Sequence, residues 1–451
     1  MKLWQKDKAS LAAVEQFTVG RDREMDAYLA PFDVLGSLAH IAMLESVGLL
    51  PAEDLAVLQQ ELKNIYREIA EGNFVLEDGV EDIHSQVELL LTRRVGESGK
   101  KIHSGRSRND QVLVDLKLFL RHELETIVGE TKELFDLLQK QSEQFKGTLL
   151  PGYTHLQIAM PSSFGLWFGA YAESLVDDLI MLQGAYRVVN KNPLGSAAGY
   201  GSSFPLNRTM TTRLLGFESL NHNVVYAQMG RGKTEKLVAF ALAGIAATVS
   251  RMAMDATLFM NQNFGFIGFP DELTTGSSIM PHKKNPDVWE LIRSHCNKLQ
   301  ALPNEIAMMT VNLPSGYHRD LQLLKENLFP AFETLRSCLR MSRLMLENIR
   351  IKEDILKDEK YRYLFSVEVV NRLVLEGTPF REAYKQVGLD IESGKFEPDT
   401  DIRHTHEGSI GNLQNDAIKA QMDAVIGGFP FASVHAAIDA LVKSYRKYFR
   451  K

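Results

Sequence analysis

The sequence predicts an all-α protein: three mainly helical domains, with a long central helical bundle that associates with copies of itself. Three observations lead there. Residues 110–147 contain no proline and one internal glycine, Gly129, while Leu116, Leu120, Leu124, Ile127, Leu134 and Leu138 recur at helical spacing. Further long stretches show the same period, and no alternation of strands with helices interrupts them. The chain has 451 residues, long for one core, so several domains are expected.

Taken in order, residues 1–108 carry shorter helices and more turns and form the first domain. Residues 109–358 form the central bundle. Its first helix is capped by Asn109 or Asp110, stops at Gly147 with Pro151 beyond, and reaches about 55 Å at 1.5 Å per residue. A second spans 162–190 and ends before Pro193. A third spans 232–261, where Ala239, Ala241, Ala243, Gly244, Ala246 and Ala247 permit close approach of a neighbour. Pro286 suits the first position of a fourth that runs toward Leu302. A fifth, 319–349, is expected to kink at Pro330. Residues 359–451 make a small helical C-terminal domain. Helices this long cannot all bury their apolar stripes in one small bundle, which is why self-association is expected.

Composition is that of a folded chain, 45% hydrophobic and 24% charged. A net charge of −6 gives a nucleic-acid partner no global electrostatic support. The two cysteines, Cys296 and Cys338, exclude a disulfide framework and a multi-cysteine zinc site and suit a reducing cytosol, so a cytoplasmic location is expected. The N-terminal MKLWQKDKASLAAVEQF is charged throughout and lacks the apolar region of a signal peptide. The most apolar run, 237–249, is about thirteen residues, short of the roughly 20 that span a bilayer. It reads as a helix buried on all sides by other helices, and no membrane partner is expected.

Chemistry concentrates in four polar stretches at the edges of the long helices: HSGRSRNDQ (103–111), GYTHLQ (152–157), GSSIMPHKKNPD (276–287) and YHRDLQLLKE (317–326). In the first, Arg106 and Arg108 lie close to Ser104, Ser107 and Asn109 before a helix N-terminus, a setting for a carboxylate or phosphate. The plain alternative is a solvated basic turn. In the second, His155 follows Thr154; a lone histidine is more often structural, and a functional one needs a carboxylate partner, for which Glu290 is a candidate. In the third, Gly276 is a hinge, Ser277 and Ser278 are bases only beside a cation, and Lys283, Lys284 and Asn285 supply cations and a neutral donor. Such a loop suits proton abstraction next to a carboxylate. Helix initiation explains Asn285 and Pro286 but not the serine and lysine pairs.

AQMGRGKT (227–234) fits a relaxed phosphate-loop pattern, with Ala227 where the strict form has glycine. That loop needs a parallel sheet, and the sequence offers none. No histidine pair has metal spacing on a helix, HTH at 404–406 lies in a polar loop, and neither cysteine has a ligand-like neighbourhood, so no metal is expected.

Together these stretches resemble the argininosuccinate lyase family of the fumarase/aspartase superfamily. GSSIMPHKKNPD matches the superfamily signature. HSGRSRNDQ, GYTHLQ, YHRDLQLLKE, DVLGSLAH (33–40), EDIH (81–84) and GTPFREAYKQVG (377–388) narrow it. The resemblance implies three mainly helical domains, a homotetramer, and active sites that each draw on three chains. It implies reversible elimination of argininosuccinate to arginine and fumarate, the last step of arginine biosynthesis, without cofactor or metal. By resemblance Ser277 and His155 are the proton-transfer pair, Lys283 stabilises the aci-carboxylate, and Glu290 orients His155. Ser277 is assigned as base and His155 as acid; the exchanged roles fit the same residues. Asn109, Thr154, Asn285, Tyr317, Gln322 and Lys325 match substrate-contact positions, and Ser104, Arg106 and Arg108 complete the expected binding set.

Several positions depart from the family pattern. QKDK (5–8) stands where a Gly-Gly-Arg-Phe run is expected after Trp4. FTVGRDREMD (17–26) is about two residues longer than usual, so its substrate contact is open among Thr18, Gly20 and Asp22. His282 replaces a glutamine, and AQMGRGKT replaces an acidic turn. Other readings are an inactive structural homologue, a lyase for an N-acylated argininosuccinate, and an NTPase.

Overall fold

The computed structural model describes residues 12–443, so the departure at 5–8 and the first eleven residues of the N-terminal reading lie outside the described residues. Among these, twelve helices have ten or more residues. The first three are α1 (Ala30–Ser46), α2 (Ala52–Ala70) and α3 (Ile83–Val95). The bundle follows as α4 (Arg108–Gln144), α5 (Phe164–Val189), α6 (Lys233–Met260), α7 (Asp287–Thr310) and α8 (Leu324–Glu347). The chain ends in α9 (Ser366–Leu375), α10 (Phe380–Glu392), α11 (Asn415–Gly427) and α12 (Phe431–Lys443).

The five long helices close a ring. α4 packs on α5, α5 on α6, α6 on α7, α7 on α8, and α8 returns to α4. Leu120 and Leu124, Leu175 and Leu179, Leu242 and Ile245, Ile292 and Leu299, and Phe332 and Leu335 fill its interior. Burying each such side chain contributes about 1.5–3 kcal/mol. A second core joins α1, α2 and α3 to Leu118 of α4, and takes in Leu194, Leu214, Phe217 and Leu441 from far along the chain. Val369, Val370, Ala383, Val387 and Phe396 form a small third core, while Ile418 and Met422 of α11 belong to the bundle.

The structure moves several expected boundaries. Ser107, not Asn109 or Asp110, caps α4: its Oγ accepts from the Asn109 N–H at 3.2 Å, and Asp110 Oδ1 accepts from the Ser107 N–H at 2.9 Å. Asp110 is therefore the third helical residue of a capping box. α7 continues through Pro303 to Thr310. Residues 319–322 form a 3₁₀ turn, so α8 starts at Leu324. Three small two-stranded sheets, absent from the sequence reading, also occur, the largest pairing Leu149–Thr154 with Gln157–Ser163.

α6 is not buried on all sides. One face lies in the bundle, and the other exposes Ala247, Arg251, Phe240 (55% exposed) and Met254 (46%). Among the described residues, 16–46, 233–260 and 415–443 are long and apolar enough to cross a bilayer by length and composition alone. The thirteen-residue run understated this. Asp26 and Asp33 in the first stretch and Glu235 in the second are buried within the fold.

The NTPase reading fails at 227–234. A short helix, Val224–Met229, stands where a strand would be needed. Gly232, at φ 76°, opens α6, and its N–H already donates to Glu235 Oε2 at 2.7 Å. A carboxylate thus occupies the helix N-terminus that a phosphate would need.

Between α5 and α6 the chain crosses back over α4, held by two buried cations. Lys117 Nζ donates to Asn221 Oδ1 at 2.7 Å and Lys191 O at 2.9 Å. Arg121 donates to Leu215 O at 2.8 Å, Gly216 O at 3.0 Å and Asn190 Oδ1 at 3.1 Å, with its guanidinium 4.3 Å above the Phe217 ring. Arg121→Met would leave these acceptors unpaired in the interior, so a loss of about 3 kcal/mol is expected in urea unfolding. A loss under about 1 kcal/mol would mean that water replaces the guanidinium.

Candidate active site

Near the start of α4 lies a cavity of about 400 Å³. Arg108, Asn109 and Val112 line it from α4, and Tyr317, Arg319, Gln322 and Lys325 from the approach to α8. Glu81, Asp82 and His84 come from the start of α3, and Arg231 from the turn before α6. Val19, Asp22 and Asp26 close it from the long N-terminal segment. That segment is tied down by backbone: Arg319 and Gln322 both donate to Thr18 O at 3.0 Å. Lys325 Nζ sits 2.6 Å from Asp22 Oδ1 and 2.5 Å from Asp26 Oδ1. Burial alone would lower its pKa, but Asp26 and Asp22 outweigh burial and hold it above the ordinary lysine value. Arg108 is fixed by Ser85 Oγ at 3.1 Å, Gln111 Oε1 at 3.0 Å and Asp82 at 3.3 Å.

Two expected binding residues do other work. Arg106 is buried and donates to Ser37 Oγ at 3.0 Å, where its charge faces Asp33 and Asp115; it does not line the cavity. The Ser104 carbonyl accepts from His40 Nε2 at 2.8 Å, which anchors the 103–107 loop to α1. Conversely, Asp26, Asp82, His84, Arg231 and Arg319 line the cavity without having been singled out as binding residues, and of the three candidates in 17–26 Asp22 lines it. EDIH carried the only sequence signal for two of them.

His155 and Thr154 sit at the exposed tip of the hairpin. Thr154 pairs with Gln157, so His155 and Leu156 form a two-residue loop, with φ of 55° and 59°. Both are left-handed without being glycine, at a cost of roughly 1–2 kcal/mol each. Gly152 permits the bulge below the tip, since a Cβ there would lie 2.8 Å from Met160 O.

The 276–287 loop is closed at its base by Asn285 N–H donating to Thr275 O at 2.8 Å. Ser277 Oγ accepts from the Met280 N–H at 3.1 Å. Lys284 pairs with Asp271, while Lys283 has no ion pair among the described residues. Lys283, Asn285 and Glu290 line a second cavity of about 740 Å³. Among the described residues Glu290 has only Arg293 as an ion-pair partner, at 4.0 Å.

The two cavities share no residue, and no hydrogen bond or ion pair among the described residues joins His155, Ser277 or Glu290 to one another.

The ring of long helices, with polar clusters at its edges, defines a class of protein: residues 7–301 match the family model described as lyase. Solved structures agree on the fold. A variant of EDDS lyase solved with fumarate has a TM-score of 0.74 at 20% identity, covering 98% of both chains. Class II fumarase from Schistosoma mansoni has a TM-score of 0.70 at 15% identity, covering 98% of this chain and 96% of that one. Argininosuccinate lyase of Parabacteroides distasonis is 65% identical over 98% of this chain and 99% of its own length. That of Stenotrophomonas maltophilia is 37% identical over 94% and 99%. The chain belongs to the argininosuccinate lyase family.

The anchor of the 103–107 loop sets a pH dependence. Burial, aided by the nearby Arg106 charge, pushes the His40 pKa down to about 3. The folded state therefore holds His40 neutral while the unfolded chain protonates near pH 6.5. Stability is full above that pH and falls as pH drops, by up to about 1.4 kcal/mol per unit from His40 alone. Urea unfolding between pH 7 and 4.5 should show a flatter decline for His40→Gln than for the wild type.

Proposed function

We propose that the protein catalyses the reversible elimination of L-argininosuccinate to L-arginine and fumarate. The observation that carries this reading is the charge balance of the 400 Å³ cavity: the cations Arg108, Arg231, Arg319 and Lys325 face the carboxylates Asp22, Asp26, Glu81 and Asp82. Such a lining complements the zwitterionic end of an amino acid and disfavours a phosphate. Lys325 already lies between two carboxylates, so its group is net negative and suits the α-ammonium. Arg319, bonded to a backbone carbonyl, is the better cation for the α-carboxylate.

In the reaction the base removes the Cβ proton next to a carboxylate of the succinyl half. Charge builds on that carboxylate, and Lys283, with no ion pair among the described residues, stabilises it. The C–N bond then breaks, its electron pair goes to the guanidine nitrogen, and the acid supplies that nitrogen with a proton. Ser277 serves as base and His155 as acid; Thr154 and Asn285 hold the succinyl half beside them.

Four copies assemble, and each site is completed by different chains. The separation of the clusters within one protomer supports this, as do the exposed Phe240 and Met254 on α6 and Leu156 on the hairpin tip. The two free cysteines support a cytoplasmic location.

The direct test is ultraviolet absorbance of fumarate on adding argininosuccinate; no signal from the folded protein would sink the reading. Ser277→Ala should lower kcat at least about a hundredfold with fold and assembly intact, the usual contribution of a general base. Mixing that variant with His155→Asn, each inactive alone, should restore activity to about one quarter after subunit exchange, because half the chains supply each intact group. No recovery would mean that both groups come from one chain.

A further inference from the structure

We propose that Asp33 and Asp115 form, with His84, a buried proton-sharing trio that fixes the His84 imidazole and presents its Nε2 to the arginine half of the substrate. This rests on the lyase reading above. His84 lines the 400 Å³ cavity from α3. Its Nδ1 lies 2.9 Å from Asp33 Oδ1 on α1 and 3.4 Å from Asp115 Oδ2 on α4. All three side chains are buried, and His84 Nε2 has no hydrogen-bond partner among the described residues. Gly36 lets α1 come this close to α4: a Cβ there would stand 3.2 Å from Asp115 Oδ1.

Two carboxylates and an imidazole with ligand atoms all within 4.8 Å of one another are also a donor set for a cation. The neighbours decide for protons. Gln111 Nε2 donates to Asp33 Oδ1 at 2.6 Å, and the buried Arg106 guanidinium acts on both carboxylates. A guanidinium cannot shed its proton, so a divalent ion beside it would meet permanent repulsion. The carboxyls divide as a pair sharing one proton does. Burial, with Asp33 beside it, drives Asp115 well above the ordinary range. Burial acts the same way on Asp33, but His84, Arg106 and Gln111 outweigh it and hold that carboxyl at about 2. Asp33 is thus the anion and Asp115 carries the proton.

An anionic Asp33 takes the Nδ1–H, which in the neutral form of the ring leaves the Nε2 lone pair as an acceptor. Asp82 and Arg108 line the same cavity, and Asp82 and His103 lie close enough to His84 for their charges to interact. An acceptor suits the substrate's guanidine N–H or α-ammonium. His84 is then a substrate contact, and Asp33 and Asp115 are positioning residues that act through it.

The experiment is steady-state kinetics on full-length Asp33→Asn, Asp115→Asn, His84→Gln and Asp33→Asn/His84→Gln, with thermal melts to confirm folding. Asp33→Asn offers an amide N–H to Nδ1, turns the ring to its other tautomer, and should cut kcat/KM at least about thirtyfold. Asp115→Asn keeps a neutral donor and should retain at least about ten times the activity of Asp33→Asn. The double variant should be no worse than His84→Gln alone, because Asp33 acts only through the ring. Equal falls for the two asparagine variants, or additive losses in the double, would overturn the trio. So would a stoichiometric metal ion whose chelation stops wild-type turnover. If Asp33→Asn does not fold, nitrogen-15 spectra of histidine-labelled wild type, assigned against His84→Gln, must show Nδ1–H; the opposite tautomer overturns the proposal. Wild-type turnover of argininosuccinate tests the lyase reading separately.

Discussion

The first half of α4 buries Asp110, Lys117 and Arg121 on one face and Asp115 on another, besides Glu123. Removing a charge from water costs several kcal/mol unless partners replace the solvent. Asp110, Lys117 and Arg121 all find partners in the 190–221 crossover, and Asp115 finds its own elsewhere. Asp110 accepts backbone N–H bonds from Gly195 and Ala197 at 2.9 Å; Asp115 meets α1 and α3; Lys117 and Arg121 hold the crossover. The helix therefore dictates where the neighbouring segments sit, and the cavity forms where four segments converge on its N-terminal turn.

Much of this was legible in the sequence, and the limits have physical reasons. The long helices announce themselves through an apolar period that no glycine or proline interrupts. Their ends were less readable at α4 because Ser107, Asn109 and Asp110 are all capping residues, and only the reciprocal Ser107–Asp110 bonds single one out. The hairpin was invisible because tight two-residue turns normally advertise glycine or asparagine. Here histidine and leucine hold left-handed backbone, an expense that makes sense where a side chain must be aimed.

The four polar motifs could be located from composition, but not their mutual geometry. Arg106 looked like an anion binder because its sequence neighbours are polar; its spatial neighbours are the carboxylates Asp33 and Asp115, brought in by helix packing. The Asp22 and Asp26 contacts to Lys325 were likewise hidden, since no local pattern couples residues so far apart. Periodicity reports the face a residue shares with its own helix, and says nothing of which distant charge will lie opposite. The apolar side chains left outside, such as Phe240 on α6 and Ile279 in the serine loop, also escape that pattern.

The bond from Lys325 to Asp26 joins residues 299 apart in the chain. Translation proceeds at roughly 5–20 residues per second, so about 15–60 s separate the synthesis of the two partners. Throughout that interval the N-terminal segment has no docking surface, because the turn that receives it does not yet exist. Its aspartates stay hydrated and its apolar residues, Val19 and the later-buried Met25 among them, are open to chaperones or to a neighbouring nascent chain. The closing of the cavity is thus a late event on the ribosome, set by the order of synthesis rather than by the rate at which helices form.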